Sequence, residues 1–219
     1  MQNNKMIKVA IADDHMIFRD GLRSLLDRQL DMEVVAEADN GRIAIKHAKE
    51  LSPDVVIMDI GMRELNGIDA TRQIVKMSPG VKVLALSMYS DKRFVKEMLK
   101  AGASGYMLKD SAFTELIDAI RVIVGSKIYI SPGVASIVLE DYLEDSTERE
   151  SSIRSLLTSR EIEVLQLLAE GKSTKQIALS LSLSIKTIES RRARIMQKIG
   201  IDNIADLTKY AIREGIVSL

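Results

Sequence analysis

A chain of 219 residues, 46% hydrophobic and 28% charged, has an ordinary globular composition and is long enough for two modest cores. With no cysteine it offers neither disulfides nor thiolate chemistry, which permits a reducing cytoplasm, and no apolar run reaches membrane-spanning length. The net charge of zero hides an asymmetry, because residues 1–130 carry 19 basic and 18 acidic side chains, residues 131–154 carry 2 and 6, and residues 155–219 carry 10 and 7; any polyanion should meet the basic tail.

The opening Met1–Lys5 leads straight into a strand without a secretory apolar core, so a cytoplasmic location is expected. Ile7 to Ala12 alternates as a strand and stops on Asp13 and Asp14. From His15 to about Gln29, Ile17, Leu22, Leu25 and Leu26 fall at helical spacing. Then follow a strand at Met32 to Ala38, a helix at Asn40 to Leu51, a strand at Val55 to Asp59, and a helix opened by Asn66-Gly67 and running to about Met77. Val81 to Ser87, Lys92 to Ala101, Gly105 to Leu108 and Phe113 to Val124 continue the alternation. Five strands alternating with five helices predict an α/β domain with a five-stranded, doubly wound parallel sheet.

Ile128 to Leu143 is less regular; Pro132 can sit at the first position of a short helix carrying Val134, Ile137, Val138 and Leu139. Residues 144–152 hold no apolar side chain and read as a flexible linker. The last segment is helical. Thr158-Ser159-Arg160-Glu161 and Ser173-Thr174-Lys175-Gln176 match the capping box, Ser184 can cap a third helix stopped by Gly200, and Asn203 can cap a fourth to about Arg213. Four short helices in about sixty residues predict an all-α helix-turn-helix domain. The expected division is residues 1–127, a connector at 128–154, and residues 155–219.

Val55-Val56-Ile57-Met58 reads as a strand buried on both faces that ends at the surface on Asp59. If the first and third strands are neighbours where the strand order reverses, Asp13, Asp14 and Asp59 crowd into one pocket. Such a cluster needs protonation or a cation, and Mg2+ suits it. Asp59 is then a candidate phosphate acceptor. Ser87 and Lys109 close later parallel strands at the same rim, and supply the hydroxyl and ammonium donors that a phosphoryl oxygen needs. Read individually, Asp13 and Asp14 could be simple helix caps, and Lys109 a solvated surface residue.

With Ile11-Ala12-Asp13-Asp14-His15, Arg19-Asp20-Gly21-Leu22, Met58-Asp59-Ile60-Gly61-Met62, Asn66-Gly67 and Ala101 to Asp110, and with Leu157 to Leu165 and Ala169 to Ser173 in the tail, the chain resembles bacterial two-component response regulators of the NarL/FixJ type. The resemblance implies a receiver domain joined to a LuxR-type helix-turn-helix. It implies that Asp59 takes a phosphoryl group from a sensor histidine kinase, and that Asp13, Asp14, Asp59 and the Gly61 carbonyl hold Mg2+, with Asp13 acting through water. Ser87 and Lys109 would bind the phosphoryl oxygens, and Tyr106 would swing inward as Ser87 moves; a plain core ring with its hydroxyl at the surface is the alternative. Met88 and Tyr89 would line the entrance, and His15, whose only fellow histidine is His47, is expected to be a structural helix-start residue. Arg63 stands where many relatives have proline, and Asp110 follows Lys109 where receivers often have proline. Neither departure removes a reacting group.

In the third tail helix Ile185, Ile188, Ile195 and Ile199 share one face and should pack on the two preceding helices. Lys186, Glu189, Ser190, Ala193, Arg194 and Gln197 project opposite, flanked by Arg191 and Lys198, while Arg192 is expected to turn inward toward Glu161 or Glu163. By the resemblance, Glu189, Ser190 and Ala193 read base edges, and Lys186, Thr187, Arg191, Arg194 and Lys198 hold phosphates of a double-stranded operator. A homodimer on spaced half-sites is expected, with Ile204, Leu207, Tyr210 and Ala211 as a candidate surface and RNA polymerase as a further candidate partner. In the resting state the receiver should cover the recognition helix or block pairing. The chain is read as a regulator, not an enzyme. An aspartyl-phosphate phosphatase would need a second carboxylate at position 61, which is glycine, and a non-phosphorylated receiver scaffold would leave the reacting groups unexplained.

Overall fold

The computed structural model describes residues 6–88, 90–144 and 156–217; Tyr89, Met1 to Lys5 and the acidic stretch 145–152 lie outside the described residues. The chain divides into two compact units after Thr147.

In the first unit the alternating apolar patterns become β1 (Ile7–Ala12), β2 (Met32–Ala38), β3 (Val55–Asp59), β4 (Lys82–Ser87) and β5 (Gly105–Leu108). Between and after them run α1 (Met16–Leu26), α2 (Gly41–Leu51), α3 (Gly67–Met77), α4 (Lys92–Lys100) and α5 (Ala112–Val124). Every strand pairing is parallel. The strand order is β2-β1-β3-β4-β5-β6, so the sheet has six strands where five were predicted. The added β6 is only Tyr129–Ile130, registered on Gly105 and Tyr106. A two-residue strand is created by its partner and has no periodicity of its own to be read.

Residue alternation splits the core into two layers. Val9, Ile11, Val55 and Ile57 pack with Leu22 and Leu26 of α1 and with Leu116, Ala119, Ile120 and Ile123 of α5. Their neighbours Ala10, Ala12, Val56 and Met58 face the opposite side, against α2, α3 and α4. Small side chains at Ala10, Ala12, Ala38, Ala44 and Ala48 let α2 lie close to the sheet. After β6, helix α6 (Pro132–Glu144) begins on proline as expected and joins this second layer through buried Val134 and partly buried Val138.

The loop after β3 is anchored by buried Ile60, Met62 and Leu65 and turns into α3 at Asn66, whose side chain accepts from the Asp69 N–H at 2.9 Å. Gly67 donates its N–H to the Ile60 carbonyl at 3.0 Å, and a Cβ at Gly67 would fall 1.9 Å from the Asp59 carbonyl oxygen. Backbone therefore passes backbone here with no room for a methyl group.

In the second unit the capping signals fall where they were read. Thr158 and Glu161 form a reciprocal box at the start of α7 (Ser159–Ala169), and Ser173 and Gln176 another at α8 (Thr174–Ser180). Ser184 caps α9 (Ile185–Ile199), which stops at left-handed Gly200 (φ 69°), and Asn203 caps α10 (Ile204–Arg213). Ile162, Leu165, Leu168, Ile177, Ile188, Ile195, Leu207 and Ala211 make one core.

Because Gly67 lies against backbone, Gly67→Ala should destabilise the first unit by about 1–3 kcal/mol, as overpacking does. Urea unfolding of the full chain checks this; an unchanged first transition would contradict it.

Candidate functional site

The register Ala12↔Met58 between neighbouring β1 and β3 sets the next residues, Asp13 and Asp59, side by side at the carboxyl edge. The chain leaves β1 toward β2 on one side, while β3 lies on the other, so the edge opens into a crevice at this switch point. Ser87 ends β4, and Lys109 follows β5 in a short 3-10 helix, Lys109–Ser111. Asp13, Asp59, Ser87 and Lys109 are all buried, and Asp14 is half-buried. Lys109 Nζ lies 2.6 Å from Asp13 Oδ2 and 3.1 Å from Asp59 Oδ1. Arg19 in the first turns of α1 donates from Nη1 to the Asp13 carbonyl at 2.6 Å and fixes the acidic loop from behind.

Burial, followed by the charge of Asp13, pushes the Asp59 carboxyl up to about 6 against the pull of Lys109. Burial also pushes the Tyr106 hydroxyl up to about 12, while its hydrogen bond with Ser87 acts the other way. Tyr106 is 0% exposed, so its hydroxyl is inside and not at the surface. The Ser87–Tyr106 pair thus links the ends of β4 and β5.

His15 stands at the start of α1 as expected, without a side-chain capping hydrogen bond, but it does have acidic partners. Its Nδ1 lies 3.2 Å from Asp13 Oδ1 and 3.0 Å from Asp14 Oδ1, contacts between adjacent residues that a search for spaced ligands overlooks. Ligand atoms of Asp13, Asp14, His15 and Asp59 all fall within 4.8 Å of one another. Asp13 Oδ2 and Asp14 Oδ1 are buried without a hydrogen bond, with the Lys109 ammonium beside the first and His15 Nδ1 beside the second. Such an oxygen-rich set, short of positive charge, fits a hard divalent cation. Gly61 is exposed in the loop two residues beyond Asp59, Met88 is exposed beyond Ser87, and exposed Arg63 reaches Asp14 Oδ2 at 3.7 Å.

On α9, Lys186, Glu189, Ser190, Ala193, Arg194 and Gln197 are exposed, and Thr187 and Arg191 half-buried. Ser184, Lys186, Thr187, Ser190, Arg191 and Arg194 line an open groove of ≈ 350 Å³. Ile188, Ile195 and Ile199 pack inward, but Ile185, the first residue of α9, is 47% exposed and lies outside the core cluster. Glu161 is claimed by Lys198 at 2.7 Å, not by Arg192. This ties the last turn of α9 to the capping box of α7 and commits the Lys198 ammonium, which was read as a phosphate contact. Burial raises the Glu161 carboxyl, but Lys198 and the N–H and hydroxyl of Thr158 outweigh it and hold the group below its ordinary value. On α10 Leu207 and Ala211 belong to the core, leaving Ile204, 37% exposed, and half-buried Tyr210 of the expected dimer surface.

A doubly wound sheet with an acidic crevice, followed by a helix-turn-helix with a basic groove, is the architecture of a signal receiver joined to a DNA-binding module. Residues 9–121 match the response regulator receiver domain, and residues 155–211 match the luxR family of bacterial regulatory proteins. The transcriptional regulatory protein DegU of Brevibacillus brevis is 36% identical over 99% of this chain and 98% of its own. The oxygen regulatory protein NreC of Staphylococcus carnosus is 35% identical over 96% and 99%. Among solved structures, the RcsB response regulator of Salmonella typhimurium superposes with a TM-score of 0.57 at 30% identity, covering 94% and 98% of the two chains. RcsB has also been solved in complex with DNA (TM-score 0.58, 29% identity). This chain belongs to the two-component response regulators of the NarL/FixJ type, transcriptional regulators that carry a receiver and a LuxR-type DNA-binding domain.

The folded pKa of Asp59 lies above its unfolded value of 3.8, so its charge lowers stability progressively from about pH 4 to about pH 6 and by a constant amount above that. In EDTA, Asp59→Asn should therefore be more stable than wild type by about 1–3 kcal/mol at pH 7.5 and equal to it near pH 4. Urea titrations at the two pH values measure this; a variant less stable at pH 7.5 would contradict it.

Proposed function

We propose that this chain is a cytoplasmic regulator whose DNA binding is switched by Mg2+-dependent phosphorylation of Asp59 by a sensor histidine kinase. The observation that carries the reading is the Lys109 ammonium held between Asp13 and Asp59 in a buried acidic crevice. An Asp59 carboxylate oxygen attacks the phosphorus of a phosphohistidine. The O–P bond forms as the P–N bond breaks, and the imidazole leaves with the electron pair and takes a proton from water. Lys109 then turns to the phosphoryl oxygens as a charge-assisted donor, and the Ser87 hydroxyl donates to another oxygen. Because Ser87 is hydrogen-bonded with Tyr106, this movement is passed to β5. Asp13, Asp14, Asp59 and the Gly61 carbonyl would hold Mg2+, whose charge screens the carboxylates from the incoming oxygens.

Residues 1–127 act as receiver, 128–154 as connector and 155–219 as reader of DNA. Glu189, Ser190 and Ala193 face base edges, while Lys186, Thr187, Arg191 and Arg194 hold phosphates; the open groove lined by Lys186, Thr187, Ser190, Arg191 and Arg194 supports this face as the DNA contact. So few contacts bind weakly, and two copies on half-sites about one helical turn apart supply the remaining affinity. The solved complex of RcsB with DNA supports the mode of binding. The chain acts as a regulator and not an enzyme, since glycine occupies position 61 where a phosphatase needs its second carboxylate.

Selection from a random duplex pool with acetyl phosphate and Mg2+ should enrich a paired motif, bound at least tenfold more tightly by treated wild type than by treated Asp59→Asn. Arg194→Ala should flatten the salt dependence by about one counterion. No enrichment, or equal affinity in Asp59→Asn, would sink the reading.

A further inference from the structure

Lys109 has a third neighbour besides the two carboxylates. Its ammonium sits over the ring of Phe18, 4.8 Å from the centroid. We infer that Phe18 is a positioning residue for the phosphoryl reaction, its ring face holding the Lys109 ammonium at the mouth of Asp59. The inference rests on the reading of Asp59 as phosphoryl acceptor and adds a requirement that the carboxylates alone do not impose.

An ammonium carries three N–H donors and accepts nothing. Two neighbours of Lys109 are carboxylates, Asp13 at 2.6 Å and Asp59 at 3.1 Å. A third carboxylate would add a further negative charge beside the ammonium and repel an incoming phosphoryl group more strongly. An aromatic face attracts the cation through its quadrupole without adding a negative charge, so the ammonium is held in place while its charge stays available. Because the ammonium is almost out of water, the attraction is at the strong end of its range.

The ring is itself fixed. Phe18 meets Phe113 of α5 edge to face, with centroids 5.7 Å apart at 73°. Phe113 in turn lies across Gly21 of α1, where a Cβ would come within 3.1 Å of its ring. Phe18 is followed by Arg19, which holds the Asp13 carbonyl at 2.6 Å. Two consecutive residues of α1 therefore hold both the Asp13 loop and the Lys109 ammonium. Phe18 occupies a position whose plain duty would be to fill space between α1 and α5, and leucine could do that.

The test compares full-length wild type with Phe18→Leu and Phe18→Tyr. Leucine keeps an apolar filler and removes the π face; tyrosine keeps the face. With acetyl phosphate and Mg2+, Phe18→Leu should take up phosphate about tenfold more slowly, and Phe18→Tyr should stay within about twofold of wild type. The Mg2+ affinity of all three, from fluorescence or NMR titration without phosphodonor, should agree within about twofold. In metal-free wild type, the Lys109 ε-methylene protons should be shifted upfield by the Phe18 ring, and the shift should vanish in Phe18→Leu. Equal rates for Phe18→Leu and wild type overturn the inference, as does a parallel loss of Mg2+ affinity, which would make Phe18 a scaffold for the acidic loop. An unshifted Lys109 in wild type overturns it whatever the rates. Wild type that takes up no phosphate while Lys109 remains shifted overturns the acceptor reading, and with it any role of Phe18 in a reaction.

Discussion

Lys109 Nζ, buried at the end of β5, lies 2.6 Å from Asp13 at the end of β1 and 3.1 Å from Asp59 at the end of β3. Two carboxylates and one ammonium taken out of water cost several kcal/mol each, and removing one partner leaves an uncompensated charge. Only the parallel order β1-β3-β4-β5 brings these strand ends to one edge, so the sheet topology and the ion cluster depend on each other. Burial raises Asp59 toward 6. The carboxylates of Asp13, Asp14 and Asp59 outnumber the one ammonium of Lys109, the condition under which a divalent cation finds a favourable place and then screens an incoming phosphoryl group. Stability is given up at this edge and recovered in the two apolar layers on either side of the sheet.

Much of this was legible because it is local. An apolar run ending on a carboxylate marks Asp59, and β1 ending on Asp13 and Asp14 marks the rest of the cluster. Capping boxes at Thr158 and Ser173 and the stop at Gly200 depend on neighbouring residues only, and they appear where the pattern puts them. What escaped is non-local. The strand at Tyr129–Ile130 exists through its pairing with β5. A helical wheel gives the direction of Ile185 but not whether anything stands opposite it, and at the first position of α9 it is 47% exposed. Lys198 reaches Glu161 across 37 residues, and nothing in either segment names the other. Tyr106 was placed on β5 correctly, but whether its hydroxyl points to water or to Ser87 is decided by β4.

In the proposed switch the two units share one chain and divide the labour by charge. Phosphorylation adds negative charge to a crevice whose cations are already counted, so Lys109 must choose between carboxylate and phosphoryl oxygens. A complete switch from 1:99 to 99:1 needs about 5.5 kcal/mol of differential free energy, and partial control needs less. Rearranging one buried ammonium, one hydroxyl pair and a divalent cation can supply energies of that order. Tyr106 lies on β5, which pairs with β6, and it shares a core layer with Val134 of α6.

The most direct measurement is intact-mass spectrometry of wild type and Asp59→Asn after acetyl phosphate with Mg2+, followed by peptide mapping. The account predicts one added phosphoryl group on wild type, located at Asp59, absent from Asp59→Asn and absent when EDTA replaces Mg2+. Unmodified wild type, or equal modification of Asp59→Asn, would contradict it.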